Sequence, residues 1–256
     1  MTNEHMPRGE YRVSLVVPCY NEALRLDVQR FRQYLAANGQ TRILFVDDGS
    51  TDDTRRVLEQ VRSGHEHCAE IVRCGANKGK AHAVRLGLTY ALDNFQQEIV
   101  GYWDADLATP LESVSRFLTV LDSRPEIEMV FGSRVKLLGR YVERRPMRHY
   151  LGRVFATLVS QMLRLPIYDT QCGAKLFRVI PGIREIFAEP FLSRWVFDVE
   201  IIARYLKLYG RDPKHLERII YEYPLETWVD IPGSKVRPTD FFIALQDLFR
   251  IKRNYL

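Results

Sequence analysis

Short apolar runs alternate with segments of helical period through the first half of the chain. Arg12–Val17 is a β-rich run that stops at Pro18. Glu22–Asn38 follows, with apolar residues at 24, 28, 31 and 35, a helical spacing, and Gly39 as its C-terminal stop. Ile43–Val46 reads as a second strand and runs into Asp47-Asp48-Gly49-Ser50. Asp52 and Asp53 suit the first turn of a helix whose inner face is Val57, Leu58 and Val61. A third strand, Glu70–Arg73, precedes a helix over Lys80–Asn94 with Ala81, Val84, Leu88 and Ala91 on one side. Ile99–Trp103 is a fourth strand, ending in Asp104-Ala105-Asp106. Thr109-Pro110 is an N-cap and first-turn pair that opens another helix, and Ile127–Phe131 is a fifth strand. The second half is less regular. An amphipathic helix is expected over Arg144–Arg164, and another over Arg194–Tyr209 with Trp195, Val199, Ile202 and Leu206 inward. A strand at Arg218–Tyr223 and a closing helix at Asp240–Arg253 complete the reading.

Strand–helix alternation of this kind predicts an α/β fold: a mostly parallel sheet with helices on both faces. No repeat, low-complexity run or Gly/Pro linker divides the chain, which reads as one domain. Such sheets bind ligands at the carboxyl ends of their strands. Tyr20-Asn21-Glu22, Asp47-Asp48, Asn77-Lys78-Gly79-Lys80 and the Asp104/Asp106 pair all fall there.

Composition changes this picture little. The 256 residues are 46% apolar and 27% charged, which excludes a disordered or disulfide-scaffold protein. None of the four Cys forms a CxxC pair or has a His cluster at zinc spacing, so reduced thiols are expected. Charge is more informative. The net charge is +5, yet residues 134–164 hold eight Arg/Lys against one Glu, so the rest of the chain is slightly acidic. A local basic patch means a local anionic partner: phosphate, nucleic acid or a membrane surface. No nucleic-acid motif accompanies it. The apolar stretch Val154–Leu163 is too short to cross a bilayer, which takes about 20 residues. The N-terminal MTNEHMPRGEYR has no apolar signal core.

Asp104-Ala105-Asp106 is the sharpest chemical feature. Read as the end of a strand, the two carboxylates share a side, where a hard cation such as Mg²⁺ or Mn²⁺ relieves their repulsion and grips a diphosphate. Solvated turn formers are the bland alternative. Asp48 serves either turn chemistry or as acceptor for a uracil imide or a ribose hydroxyl. Tyr20 stacks on a base or packs. Asn77-Lys78-Gly79-Lys80 opens a helix, a favourable place for anions. It fails as a P-loop, because Ala81 stands where Ser or Thr would bind Mg²⁺. Asp198, beside Trp195, Val196 and Phe197, is either a base or a structural acceptor for Arg or Lys, and Glu200 shares its segment. Arg144, Arg145, Arg148 and Arg153, interleaved with Val154, Phe155, Leu158, Val159 and Leu163, read as a helix in a headgroup zone or as a solvated basic face.

With these residues in view, the chain resembles inverting nucleotide-sugar glycosyltransferases of the GT-A fold, glycosyltransferase family two. More narrowly it is similar to dolichyl-phosphate (polyprenyl-phosphate) β-glucosyltransferases. The segments that carry the resemblance are VVPCYNEALRL, VDDGSTDDT, NKGKAHAVRLG, DADLATP, FGSR, DTQCGAKLFR, RWVFDVE and GSKV. The resemblance implies a nucleotide-sugar pocket using Pro18, Tyr20, Glu22, Asp48, Lys80, Asp104 and Ala105, with Mg²⁺ or Mn²⁺ on Asp104 and Asp106. It implies that Arg134, Gln171, Lys175, Asp198 and Lys235 surround sugar and phosphates, with Asp106, Asp198 and Arg134 the catalytic group. Arg144, Arg145, Arg148 and Arg153 would meet the acceptor phosphate or membrane.

The function so implied is inverting transfer of a sugar, glucose foremost, from a UDP-sugar to a polyprenyl or dolichyl phosphate. The alternatives are a transferase acting on a hydroxyl, and a nucleotide-sugar-binding protein without turnover. Residues 1–11 are expected as a tail, 12–133 as the nucleotide-sugar half and 134–256 as the acceptor half with its basic helix at 144–164. Related mannose synthases often carry Gln two residues after the second Asp, where Ala108 stands here. Many relatives carry C-terminal membrane helices, whereas this chain stops at Leu256. Membrane contact is therefore expected through 134–164, from the cytoplasmic side. Nothing in the sequence sets the oligomeric state.

Overall fold

The structure, a computed structural model, describes residues 11–143, 146–230 and 240–256. Its residues cluster into two compact units, one of residues up to Asp106 together with Phe177–Val179, the other of Leu107–Leu176 and Ile180–Leu256.

The first unit holds β1 (Val13–Cys19), α1 (Val28–Ala37), β2 (Thr41–Asp47), α2 (Thr54–Arg62), β3 (Ala69–Arg73), α3 (Lys80–Asn94) and β4 (Ile99–Trp103). The strand order is β3-β2-β1-β4, and each pairing is parallel. Both faces are covered, which explains the unbroken apolar runs. Phe45 meets Phe31 of α1 edge to face at 5.2 Å. Its neighbour Val46 points the other way, toward α3. There Gly87 admits the sheet so closely that a Cβ would lie 2.5 Å from Val16 Cγ1 and 2.8 Å from Val46 Cγ2.

The strand continues through Pro18 rather than stopping there. Alternate residues of β1 face alternate neighbours, and Pro18 faces β4, whose pairing with β1 ends at Val16. The N–H that Pro18 lacks is owed to no partner. The first helix begins at Val28, not at Glu22. Asp27 Oδ1 accepts from Arg30 N at 3.0 Å and sets the N-cap, while Glu22–Leu26 forms a turn with Leu24 wholly exposed.

In the second unit are α4 (Ser113–Ser123), β5 (Met129–Ser133), β6 (Tyr141–Glu143), α5 (Pro146–Leu163), α6 (Ile183–Ala188), α7 (Phe197–Leu208), α8 (Pro213–Ile219), β8 (Ile220–Pro224), β9 (Thr227–Val229) and α9 (Asp240–Tyr255). A further strand, β7 (Ala174–Arg178), gives Ala174–Leu176 to this unit and Phe177 onward to the first, where Phe177 stacks on Tyr102 at 6.3 Å. β5 pairs with β8 and β6 with β9, both in parallel. The helix expected at Thr109-Pro110 starts at Ser113, after a turn closed by Ser113 N on the Pro110 carbonyl. Trp195 is 42% exposed rather than inward. It precedes α7, in a turn where Ser193 Oγ accepts from the N–H groups of Trp195 and Val196 and donates to Asp247 at 2.7 Å. Among the described residues no helix is long and apolar enough to cross a membrane.

Candidate active site

In the first unit the site grows from the carboxyl ends of β1, β2 and β4. Asp47, the last residue of β2, and Asp48, just beyond it, divide their tasks. Asp47 makes the local turn, accepting from Ser50 N at 3.0 Å. Asp48 reaches across instead. Its backbone N–H donates to the Cys19 carbonyl, and its two carboxylate oxygens accept from Lys78 N at 3.0 Å and Gly79 N at 2.7 Å. The free N–H groups before α3 that suit an anion are thus met by Asp48 itself. Gly49 makes this approach possible. Its φ is +69°, and a Cβ there would lie 2.6 Å from the Ala76 carbonyl carbon.

The Tyr20–Ala23 segment is fastened to the same corner. Asn21 N donates to Ser50 Oγ, Glu22 N to Thr54 Oγ1 at 2.7 Å, and Ala23 N to Asp52 Oδ2. Pro18 and Tyr20 are half-buried there, and Glu22 is buried with its carboxylate bridged twice by Arg25, at 2.5 and 3.0 Å.

Asp104, Ala105 and Asp106 do not continue β4. They form a turn beyond Trp103, followed by Leu107 at φ +52°, so the same-side argument from strand geometry does not apply. Other neighbours define the pair. Lys80 Nζ lies 2.5 Å from Asp104 Oδ1. Arg25 is held above its ordinary pKa, first by its hydrogen bond to Glu22 against the cost of burial, and further by Asp106 and Asp104. Two partly exposed carboxylates, with Lys80 beside Asp104 and the Glu22-bound Arg25 nearby, form a hard oxygen donor set. That set fits Mg²⁺ or Mn²⁺.

The second unit has its own polar centre. Arg134, just after β5, is gripped by Asp169 through Nε at 2.6 Å, Nη2 at 2.7 Å and its backbone N–H at 3.1 Å. Glu222 of β8 positions Asp169 in turn, accepting from Asp169 N at 2.6 Å and Tyr168 N at 2.8 Å. Burial pushes the Glu222 carboxyl above its ordinary value, against the pull of those bonds. Arg153 of α5 stacks on the Tyr168 ring at 3.7 Å. Arg134, Arg153, Tyr168, Asp169, Thr170 and Gln171 line a pocket of about 330 Å³, counted to its open mouth, with Gly152, Phe155 and Ala156 of α5. The buried Thr170 Oγ1 and Gln171 Nε2 have no hydrogen-bond partner among the described residues.

Lys175 is fully buried. Its ammonium donates to the Thr170 and Cys172 carbonyls and to Asp198 Oδ1, at 2.9, 2.6 and 2.6 Å. Asp198 is therefore paired with a buried lysine ammonium. Glu200 is an acceptor too, bonded to Arg204, Tyr255 and the backbone N–H of Leu192. On α5, Val159 and Leu163 are buried while Val154 and Leu158 are exposed, so only part of the expected headgroup face is open. Arg144, Arg145 and Lys235, and the side chain of Arg148, lie outside the described residues.

Sequence reasoning passed over Asp169, Thr170 and Glu222. Asp169 opens the Asp-Thr-Gln-Cys segment, but its partner Arg134 is 35 residues away. It also set aside a cysteine–histidine cluster, although Cys74 Sγ lies 3.9 Å from His82 Nδ1.

A mostly parallel sheet with acidic residues gathered at the carboxyl ends of β2 and β4 fits the glycosyltransferase class, and comparison with known proteins agrees. The chain belongs to the family described as Glycosyl transferase family 2, whose profile matches residues 14–181, and it is a glycosyltransferase. It is 30% identical to the dolichyl-phosphate beta-glucosyltransferase of Homo sapiens, over 96% of this chain and 76% of that protein. The Saccharomyces cerevisiae enzyme of the same name is 29% identical, over 99% and 78%. Crystal structures of glucosyl-3-phosphoglycerate synthase from Mycobacterium tuberculosis share the fold. The phosphoglyceric acid complex gives a TM-score of 0.64 at 17% identity, covering 95% of this chain and 80% of that one. The complex with Mg²⁺ and UDP gives 0.64 at 19%, with the same coverage.

Proposed function

We propose that this glycosyltransferase moves glucose from UDP-glucose to a polyprenyl or dolichyl phosphate, with inversion at C1. The pocket between Arg134 and Arg153 carries the acceptor half of this reading. Two guanidinium groups and two buried donors without partners among the described residues, the Thr170 hydroxyl and the Gln171 amide, suit an anionic phosphate head. The names of relatives matched along nearly the whole chain support the same acceptor and sugar.

The state of Asp198 favours phosphate over a hydroxyl acceptor. A hydroxyl needs a base, and Asp198, the candidate, is buried and paired with a fully buried Lys175. A phosphate monoester, with a second pKa of about 6, is already anionic at neutral pH. It attacks C1 on the face opposite the leaving diphosphate and needs orientation and charge compensation rather than proton removal. Arg134, held by Asp169, and Arg153, held against Tyr168, supply these. Lys175 and Asp198 act as positioning residues, fixing the Thr170–Cys172 backbone beneath the pocket.

Donor binding falls to the first unit. Asp48 keeps lone pairs beyond its two backbone bonds and accepts from the base or ribose. Pro18 and Tyr20 flank it, Glu22 orients Arg25, and Lys80 meets the phosphates. Asp104 and Asp106 would hold Mg²⁺ or Mn²⁺, which supplies charge stabilisation for the departing diphosphate. Contact with a membrane surface is proposed through the exposed Leu137 and Leu138 before β6, with Val154 and Leu158 of α5.

The test is product mass after incubating the chain with a panel of UDP- and GDP-sugars and a short polyprenyl phosphate. A hexosyl-phosphate lipid formed from UDP-glucose is expected. Transfer only to hydroxyl acceptors overturns the reading.

A further inference from the structure

Asp48, Cys74 and His82 form a second cluster of possible ligands, built from residues other than the acidic pair. Asp48 follows β2, Cys74 follows β3 and His82 lies in the first turn of α3. Each offers one ligand atom, and the three atoms lie within 4.8 Å of one another. We propose that Asp48, Cys74 and His82 bind a borderline-soft divalent cation, Zn²⁺ by preference, and that this ion inhibits the enzyme by engaging Asp48. The competition with nucleotide rests on the donor reading of Asp48 given above; the ion site itself does not.

The donor set decides the class of ion. One thiolate, one imidazole and one carboxylate match zinc and cobalt, whereas Mg²⁺ and Ca²⁺ take oxygen. Zinc bonds of about 2.0–2.3 Å place tetrahedral ligands about 3.3–3.8 Å apart. Cys74 Sγ and His82 Nδ1 already lie 3.9 Å apart, so small side-chain adjustments close the triangle.

The ligands are also held from behind, as metal ligands usually are. Lys78 N and Gly79 N fix both oxygens of Asp48, and each oxygen retains a lone pair. The Cys74 backbone N–H donates to the Asp47 carbonyl at 2.9 Å, and that of His82 to Gly79 at 3.0 Å. Cys74 and His82 are half-buried, which leaves a fourth position for water. Lys78 and Arg85 oppose a cation here, while Asp47 and Asp48 favour it. Burial above all, with the two carboxylates, pushes the Cys74 thiol up to about 11. Binding therefore displaces one thiol proton to solvent as the sulfur–metal bond forms, and no electrons change hands.

Cobalt is the probe, because thiolate ligation to Co²⁺ gives a charge-transfer band in the near ultraviolet that oxygen ligation does not. Titrating the full chain with Co²⁺ should raise this band to one equivalent, and Zn²⁺ should abolish it. Cys74→Ser should lose the band, His82→Gln should weaken binding at least tenfold, and Cys68→Ser should behave as the parent. Zn²⁺ inhibition of transfer should be relieved in Cys74→Ser while Mg²⁺-supported activity persists. Absence of the band in the parent, or its survival in Cys74→Ser, overturns the site. A band that UDP leaves unchanged keeps the ion site and removes Asp48 from nucleotide contact.

Discussion

Asp169 holds the Arg134 guanidinium with both carboxylate oxygens, at 2.6 and 2.7 Å, and accepts the Arg134 backbone N–H with one of them. A planar fork seated on a carboxylate is fixed in direction, which a lysine in its place is not. Asp169→Asn keeps the shape and removes the charge. The side chains are 7% and 16% exposed, so the loss should be about 2–3 kcal/mol, below the roughly 3–5 kcal/mol of a fully buried pair broken on one side. Denaturant midpoints give that number. The KM for polyprenyl phosphate should rise more than the KM for the sugar donor; equal increases would remove Arg134 from the acceptor side.

Glu222 supports Asp169 from beneath, and its titration should show in stability. Burial raises its carboxyl above the ordinary value of 4.5, so the folded protein holds that proton more tightly than the unfolded chain does. Stability from this group is complete below pH 4.5 and is lost as pH rises through the raised value. Glu222→Gln removes that slope. The parent's advantage over the variant should therefore shrink between pH 4.5 and neutrality, as read from urea midpoints at both. An advantage that grows with pH contradicts the assignment.

The sequence was legible where a long period or a buried run left one solution. Lys80–Asn94 and Ile99–Trp103 are bounded in the structure as the pattern predicts, because apolar residues recur along the whole of each. Ends depended on single side chains, and there pattern failed. Leu24 matched the helical spacing, yet Asp27 caps the helix after it. Trp195 matched likewise, yet Ser193 turns the chain before α7. The residues of the candidate site divide in the same way. Asp48, Asp104 and Arg134 stand in recognisable segments. The carboxylates that hold their neighbours, Asp169 and Glu222, pair with residues 35 and 53 positions away, a distance that periodicity does not carry.

Gly49 tests the donor corner. A side chain at φ +69° costs about 1–2 kcal/mol. The added Cβ would also meet the Ala76–Asn77 backbone at 2.6–2.7 Å, where nothing flexible can yield. Gly49→Ala should destabilise the protein by about 2 kcal/mol or more and loosen the hold of Asp48 on Lys78 and Gly79. Calorimetric titration with UDP should show affinity falling with stability. A stable variant with parental UDP affinity would mean that the corner tolerates opening.

Leu138 is wholly exposed and Leu137 about half exposed, beside Lys136. Full burial of one such side chain is worth about 1.5–3 kcal/mol, so replacing both by Ser should weaken binding to anionic vesicles about tenfold or more. Flotation of parent and variant with the same vesicles measures it. Transfer to a short, water-soluble polyprenyl phosphate should be spared. Unchanged flotation would direct the search to Val154 and Leu158 on α5.

Asp106 separates catalysis from folding most cleanly. It lies in the turn after β4, between Ala105 and the left-handed Leu107, outside the strand and partly exposed. Asp106→Ala should therefore melt with the parent. Its kcat should fall by about a hundredfold or more, the scale set by losing one preorganised group that stabilises developing charge. EDTA should silence the parent, and Mg²⁺ or Mn²⁺ should restore it. Asp104→Asn should cost little stability, because Lys80, its partner at 2.5 Å, is partly exposed and regains water. Full turnover in EDTA would sink the metal assignment and leave Lys80 and Arg25 as the cations that meet the diphosphate.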